Sequence, residues 1–407
     1  MTTQTSQRLD RARQLIEEEL PHLISIRHDL HAHPELQYQE TRTSGVVQRE
    51  LEAAGVEFVP GLAGGTGVLG HIPGETGSAM GLRADMDALP ILEETGLGYA
   101  SSIDGRMHAC GHDGHTTILI GAARVLSRLS AESPLPQPVT MVFQPAEEGG
   151  AGGKRMCEEG ALDGSRIGPA VGSMFGLHGH TESTVGSVGS RVGPLLAAAD
   201  EVIIDIRGVG GHAAMPHSCT DPVPCAASII QALQGIVSRN TNPLDSSVIS
   251  ITQLTAGDAF NVIPDTVRIS GTVRSLQEST REMLERRIGE VATGIASAHG
   301  CTAVVDFIRG YPVTRNEAGA VATFERAAGE VLGEDWVRPI EHPVMGGEDF
   351  SFYGERVPAC FFFLGLLPPG EQAMPSVHNA RFDFNDEAIK TGVEVFCSLA
   401  LGLGTSE

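Results

Sequence analysis

This sequence predicts an α/β fold carrying a compact α+β insert, and three observations support that prediction. Short β-branched or apolar runs alternate with helical patterns through the first part of the chain, and several of these runs end in residues able to hold a metal. The texture changes at about Ala198 into a β-α-β-β-α-β order, which is ferredoxin-like. It then returns to α/β alternation. The expected division is therefore 1–195 and 309–407 for the larger domain, with 196–308 inserted. A chain of 407 residues is also too long for one ordinary core.

The elements follow in order. Leu9, Ala12, Leu15, Ile16 and Leu20 recur at helical spacing, so a helix is expected from about Thr5 to His33, broken or restarted at Pro21. The His-rich run Arg27–Glu35 at its end reads as mainly structural. A second helix, Thr41 to Ala54, stops at Gly55. Strands are expected at Thr66–Ile72 and Ala79–Asp85. The segment Gly65–Gly70 matches G-x-G-x-x-G, but Pro73 and Gly74 follow where a dinucleotide site needs a helix, so that reading fails. A helix is expected over Thr116–Leu129, a strand over Val139–Phe143, a helix over Gly153–Glu159, and a strand over Val171–Leu177 that ends at His178. The insert reads as strand Val202–Ile206, helix Pro222–Ser238, strands Ser247–Leu254 and Thr266–Val273, helix Leu276–His299 and strand Thr302–Ile308. Helix Glu317–Leu332, the loop Met345–Phe350, strand Ala359–Gly365 and helix Asp386–Gly402 complete the chain.

Composition removes several function classes. Net charge is −23, with 51 acidic against 28 basic residues. Phosphate neutralisation needs clustered Lys and Arg, so nucleic acid is not an expected partner, and an anionic membrane surface would repel the chain. The seven cysteines are scattered and odd in number, which gives no disulfide framework. The first residues lack the basic start and apolar core of a signal peptide, and no apolar run is long enough to span a bilayer. A cytoplasmic location is the expectation.

The chemistry concentrates in Met107–His115, where one thiol and three imidazoles fall within nine residues. Cys110 and His112 stand two apart, so both side chains can face one way in an extended or turning segment. Thiolate and neutral imidazole suit a borderline-soft divalent metal. Asp85 and Asp87 share one face where a strand ends. Glu147 and Glu148 follow another strand, and adjacent carboxylates on extended backbone point apart. One can bind metal while the other faces substrate as a general base. His178 stands at a third strand end, as open α/β sheets build sites. His180 alone reads as structural or exposed.

Taken together, the strings RHDLHAHPEL, RADMDALP, MHACGHDGH, FQPAEEGG, GGHAAMPH, NVIPD, GTVRS and GGEDF, in this order, resemble the dinuclear-metal aminoacylase and carboxypeptidase superfamily. Within it the chain is most similar to the amidohydrolases that include hippurate hydrolase, N-acyl-amino-acid amidohydrolases and auxin-conjugate hydrolases. The resemblance implies a zinc-peptidase-like catalytic domain, with a central mixed sheet flanked by helices and an inserted dimerisation or lid domain. It implies that Cys110, His112, Glu148, His178 and His378 hold two divalent metals per subunit, with Cys110 bridging. The metals would be zinc or manganese, with nickel or cobalt also used by relatives.

It further implies Glu147 as general base and then acid on a metal-bridging water, Asp87 as the residue that orients a ligand, and His212 as a group that reaches the site across a homodimer. Asn261 and Arg274 would hold the substrate carboxylate. Asp85 stands where wider relatives place a His ligand, which leaves its role open. The implied activity is hydrolysis of the amide bond of small N-acyl amino acids. The alternatives are a dipeptidase or carboxypeptidase of the same superfamily, or a non-catalytic metal-binding protein.

Overall fold

Leu9, Ala12, Leu15, Ile16, Leu23, Ile26 and Leu30 are all buried along one face of a single helix, Thr3–His31, in a computed structural model that describes residues 3–402. Pro21 lies inside this helix, so the expected break does not occur. A proline removes one hydrogen bond from a helix interior. Here the apolar stripe continues on both sides of Pro21 and packs in the main core, which holds the two halves in line.

The described residues form two units. The first contains the residues up to Leu195, Arg315–His342 and those from Asp349 onward; the second contains Leu196–Thr314 and Pro343–Glu348. The first is built on a mixed seven-stranded sheet. Its order is Glu57–Leu62, Gly67–Ile72, Val139–Gln144, Ala79–Asp85, Val171–Thr184, Ala359–Leu367 and Val188–Gly189. The four strands from Val139–Gln144 to Ala359–Leu367 run parallel, and the outer pairings are antiparallel. Three of those parallel strands are buried at every position. This explains their nearly continuous apolar sequences, because a parallel strand is covered on both faces. Helices Thr3–His31, His112–Glu132 and Glu387–Ala400 pack together in the same core.

Two sequence expectations change in ways that affect the site. The helix expected from Thr116 begins at His112, with Gly111 at its N-cap at φ 87. A left-handed turn of this kind is one that glycine adopts freely. The strand expected to end at His178 runs on to Thr184, so His178 and His180 lie within it.

The second unit has strand order Ser247–Ala256, Thr266–Ser275, Ala198–Arg207, Thr302–Tyr311, all antiparallel. That is the ferredoxin-like arrangement of its β-α-β-β-α-β sequence. Helices Pro222–Arg239 and Glu278–Ala298 cover it through Ile229, Leu233, Leu284 and Ile288, which meet Val202, Ile204 and Ile206. No described helix is long and apolar enough to cross a membrane.

Candidate metal and catalytic site

Strand ends and turns bring the candidate residues of the first unit together. Asp85 closes its strand, Asp87 follows two residues on, and Gln144 leads into the turn that carries Glu147 and Glu148. His178 pairs in register with Phe363. His378 is held by its own backbone, with its N–H donating to Ala109 O at 2.7 Å and its φ at 64. Left-handed backbone in a residue with a Cβ is uncommon and tends to gather at functional sites. Ala146 (φ 54) and Ala151 (φ 52) share it, one on each side of the two glutamates.

Ligand-type atoms converge here in overlapping groups whose members lie within 4.8 Å of one another. They include Cys110 with His112 and His178, Cys110 with Glu148 and His378, His112 with Glu147 and Glu148, and Asp85 with His112 and His115. Cys110 belongs to two of the groups, and its Sγ is 3.3 Å from Nε2 of His178. The imidazoles are aimed by their other nitrogen. His178 Nδ1 donates to Gly179 O at 2.8 Å, which leaves Nε2 as the lone-pair nitrogen towards Cys110. His112 Nδ1 lies 3.2 Å from Asp87 Oδ1, while its buried Nε2 has no hydrogen-bond partner. His378 Nε2 faces Glu148 Oε1 at 3.1 Å. A ring fixed at one nitrogen and open at the other is how proteins present imidazole to a metal. Buried thiol, imidazole and carboxylate crowded this closely fit a divalent cation of borderline softness.

The carboxylates crowded here make the cluster a negative site, and burial adds its own effect on each group. Burial pushes the Cys110 thiol well above its ordinary range, and Glu148, Glu147 and Asp85 push it further. Burial disfavours charge on His112, but Asp85, Asp87 and Glu148 outweigh it and raise that imidazole to about 10. Burial lowers His178 to about 3, with His115 adding to the effect. Burial would raise Glu148, but the His378 contact and the His112 charge hold it below the usual carboxylate range.

Asp87 does more than orient a ring. Its Oδ1 also accepts Glu147 N–H at 3.0 Å and its Oδ2 accepts Glu148 N–H at 2.9 Å. Glu147 is buried, and Asp349 N–H donates to its Oε1 at 3.3 Å. The Asp349 carboxylate is in turn held by Arg83 at 3.0 Å, Gln144 at 2.8 Å and Gly153 N–H at 2.8 Å. This support was not foreseen from sequence. Asp349 acts through its backbone, and the only local signal was the GGEDF string itself.

Asp85 is not built as a ligand, although its atoms lie near His112. Oδ2 pairs with Arg83 and Oδ1 pairs with His115 Nδ1 at 2.7 Å. His115 Nε2 then accepts Gly179 N–H at 2.9 Å, so both of its nitrogens are occupied. His180 is engaged with Ser183 Oγ at 2.9 Å and stacks on Phe363, a structural role.

The remaining candidates are carried by the second unit. His212 is exposed on the two-residue strand Gly211–His212, which pairs with Val262–Ile263, and Ala213 N–H donates to Asn261 O at 3.0 Å. His212 and Asn261 are thus neighbours. Arg274 lies on Thr266–Ser275, between Ala199 and Val248.

The sequence profile of peptidase family M20/M25/M40 matches residues 81–402. The chain is 41% identical over 383 residues to IAA-amino acid hydrolase ILR1-like 4 of Arabidopsis thaliana, covering 93% of this chain and 84% of that protein. It is 40% identical over 385 residues to N-acetylcysteine deacetylase of Bacillus subtilis, covering 93% and 96%. The crystal structure of the Bacillus subtilis YXEP protein, described as a dinuclear metal binding peptidase from the M20 family, superposes with a TM-score of 0.79 at 35% identity, covering 95% and 98%. The chain belongs to peptidase family M20/M25/M40, as the ordered motifs implied.

Proposed function

We propose that this M20-family chain is a metal-dependent amidohydrolase that cleaves the amide bond of N-acyl amino acids, releasing a carboxylic acid and a free amino acid. The observation that carries this reading is the Glu147 carboxylate. It is buried beside the ligand cluster, grouped with His112 and Glu148, and steadied by Asp349 N–H. A protein that only bound metal would need no such group. The names of the curated relatives, an IAA-amino acid hydrolase and an N-acetylcysteine deacetylase, support the same substrate class.

In this reading Cys110, His112, Glu148, His178 and His378 would hold two divalent metals, and Cys110 belongs to two of the candidate ligand groups. Zinc or manganese is proposed, with nickel or cobalt as substitutes. When bound, the metals supply Lewis acidity that lowers the pKa of water and polarises the amide carbonyl. Glu147 takes the proton from the attacking water and then delivers it to the leaving amine nitrogen, without which the C–N bond does not part. Asp87 keeps His112 and the two glutamate amides in register. His212 of the partner subunit would donate to the tetrahedral oxyanion. Asn261 and Arg274 would hold the substrate carboxylate, the latter through its planar fork.

A homodimer formed through the second unit is part of the proposal. Leu254, Phe260 and Val262 are exposed there and offer apolar surface that a partner subunit would cover. A cytoplasmic location is proposed as well, and the free state of the seven cysteines supports it.

The test is free-amine release from a panel of N-acyl amino acids and dipeptides, using protein loaded with zinc or manganese. Glu147→Gln is the control. Release from acylated amino acids that disappears in the control is expected. Release only from dipeptides would move the assignment to a peptidase. Silence from a fully metal-loaded protein would favour a binding role.

A further inference from the structure

The turn that carries Glu147 and Glu148 is held by three successive backbone amides, and all three donate to buried carboxylates. Glu147 and Glu148 N–H bond to Asp87. The first of the three, Ala146 N–H, bonds to Oε1 of Glu40 at 2.9 Å. Glu40 is fully buried. It stands at the N-cap of helix Thr41–Ala53, yet its side chain makes no capping bond to that helix. Its oxygens turn elsewhere: Oε1 also accepts Tyr38 N–H at 2.9 Å and Oε2 accepts the Thr66 hydroxyl at 2.9 Å. Tyr38 in turn donates its hydroxyl to Gly150 O, so one short segment grips the turn at both ends. The residue Glu40 holds directly, Ala146, has the left-handed φ of 54. Such a conformation persists only where neighbours fix it. An unpartnered Ala146 N–H in this buried place would drive the backbone to find another acceptor.

We propose that Glu40 is a positioning residue for the general base. By accepting Ala146 N–H it keeps the turn in the one conformation that sends Glu147 and Glu148 to their separate tasks. It works as a hydrogen-bond acceptor, and neither ligates metal nor transfers a proton. The inference rests on the reading of Glu147 as general base. It also explains why Thr66, inside a glycine-rich string that fails as a nucleotide site, is buried.

Two variants of the metal-loaded protein, with hydrogen exchange, test it. Glutamine can keep its oxygen on the Tyr38 and Ala146 amides and turn its NH2 to the Thr66 hydroxyl, which accepts as readily as it donates. Glu40→Gln should therefore keep kcat within about threefold of wild type, the change expected when acceptor geometry is retained. Glu40→Ala should lose about 100-fold in kcat with KM and metal content little changed, because misplacing a catalytic group by an ångström costs that much. The Ala146, Glu147 and Glu148 amides should exchange slowly in wild type and in Glu40→Gln, and fast in Glu40→Ala.

Glu40→Ala with wild-type kcat would overturn the proposal. So would Glu40→Gln as inactive as Glu40→Ala, or fast exchange at Ala146 in the wild-type protein, a measurement that needs no variant to fold. A wild type that hydrolyses no N-acyl amino acid would remove the functional reading instead. The exchange measurement still decides whether Glu40 holds the turn.

Discussion

Asp85 Oδ1 lies 2.7 Å from His115 Nδ1, and the far nitrogen of that ring accepts the amide of Gly179 at 2.9 Å. The pair fixes the tautomer: Nδ1 carries the hydrogen and Nε2 offers its lone pair to a backbone N–H. Neither nitrogen is left for a metal. The relay ends at the residue after His178, whose own Nδ1 bonds to the Gly179 carbonyl. Gly179 is thus gripped on both backbone groups, and His178 is aimed from behind. The sequence left Asp85 without a role because it stands where wider relatives carry a ligand. The structure gives it a supporting one.

Replacing His115 by Ala, or Asp85 by Asn, should therefore leave the number of metals per chain unchanged. Affinity should fall about 10- to 100-fold, the usual cost of losing a partner that orients a ligand. Metal analysis with chelator competition separates the two readouts. Loss of a whole metal equivalent would make one of these residues a ligand after all.

What the sequence made legible was chemistry that sits in contiguous strings. Cys110, His112, Glu147 and Glu148 belong to short motifs at strand or helix boundaries, and the structure brings them together with His178 and His378. Support that comes through backbone was not legible. Glu40 and Asp349 lie far from Glu147 in the chain and act by accepting or donating a main-chain hydrogen bond. No residue type marks such a partner in advance. The extension of one strand from His178 to Thr184 was hidden for a different reason. Gly, His, Thr and Ser read as a strand end, whereas parallel pairing with Ala359–Leu367 carries them on. Pro21 misled because its neighbours' packing outweighs one lost hydrogen bond.

Gly152 tests how little room the catalytic turn has. A Cβ there would stand 1.7 Å from Pro145 O and 3.3 Å from Ala146 O, both backbone atoms of the turn. Gly152→Ala should therefore displace the turn. The expected result is about 1–3 kcal/mol of lost stability, the range for overpacking a filled site, with a fall in kcat larger than the change in KM. Denaturant unfolding and steady-state kinetics check this. A variant with wild-type stability and turnover would mean that the turn relaxes without consequence.

The proposed cross-subunit role of His212 has a decisive test in mixed dimers. Glu147→Gln and His212→Ala are each expected to be inactive alone. If His212 of the partner subunit completes each site, a mixed dimer contains one intact site. Unfolding and refolding the two variants together should then restore about a quarter of wild-type activity, the yield of random pairing in a two-fold dimer. If His212 serves its own chain, no mixture contains an intact site and activity stays absent. Size measurement on the wild type accompanies the experiment, since a fully active monomer would exclude the role.

His31 gives the clearest pH signature in the first unit. Its Nδ1 lies 2.8 Å from Asp113 Oδ2 and its Nε2 lies 3.3 Å from Glu93 Oε1, and its side chain is fully buried. Burial disfavours the charged ring, but the bonds to Asp113 and Glu93 outweigh it and raise the imidazole to about 9. The pair ties the end of helix Thr3–His31 to the first turn of His112–Glu132. A histidine whose pKa is raised on folding binds its proton more tightly in the native state. Its contribution is complete below pH 6.5 and is lost as pH rises through about 9. The shift corresponds to about 3 kcal/mol at most. Wild-type stability should fall across that window, and His31→Gln should be less stable at its acid end while showing a flatter profile. Denaturant midpoints measured at successive pH values check both statements, and equal slopes in the two proteins would show that His31 is not the titrating group.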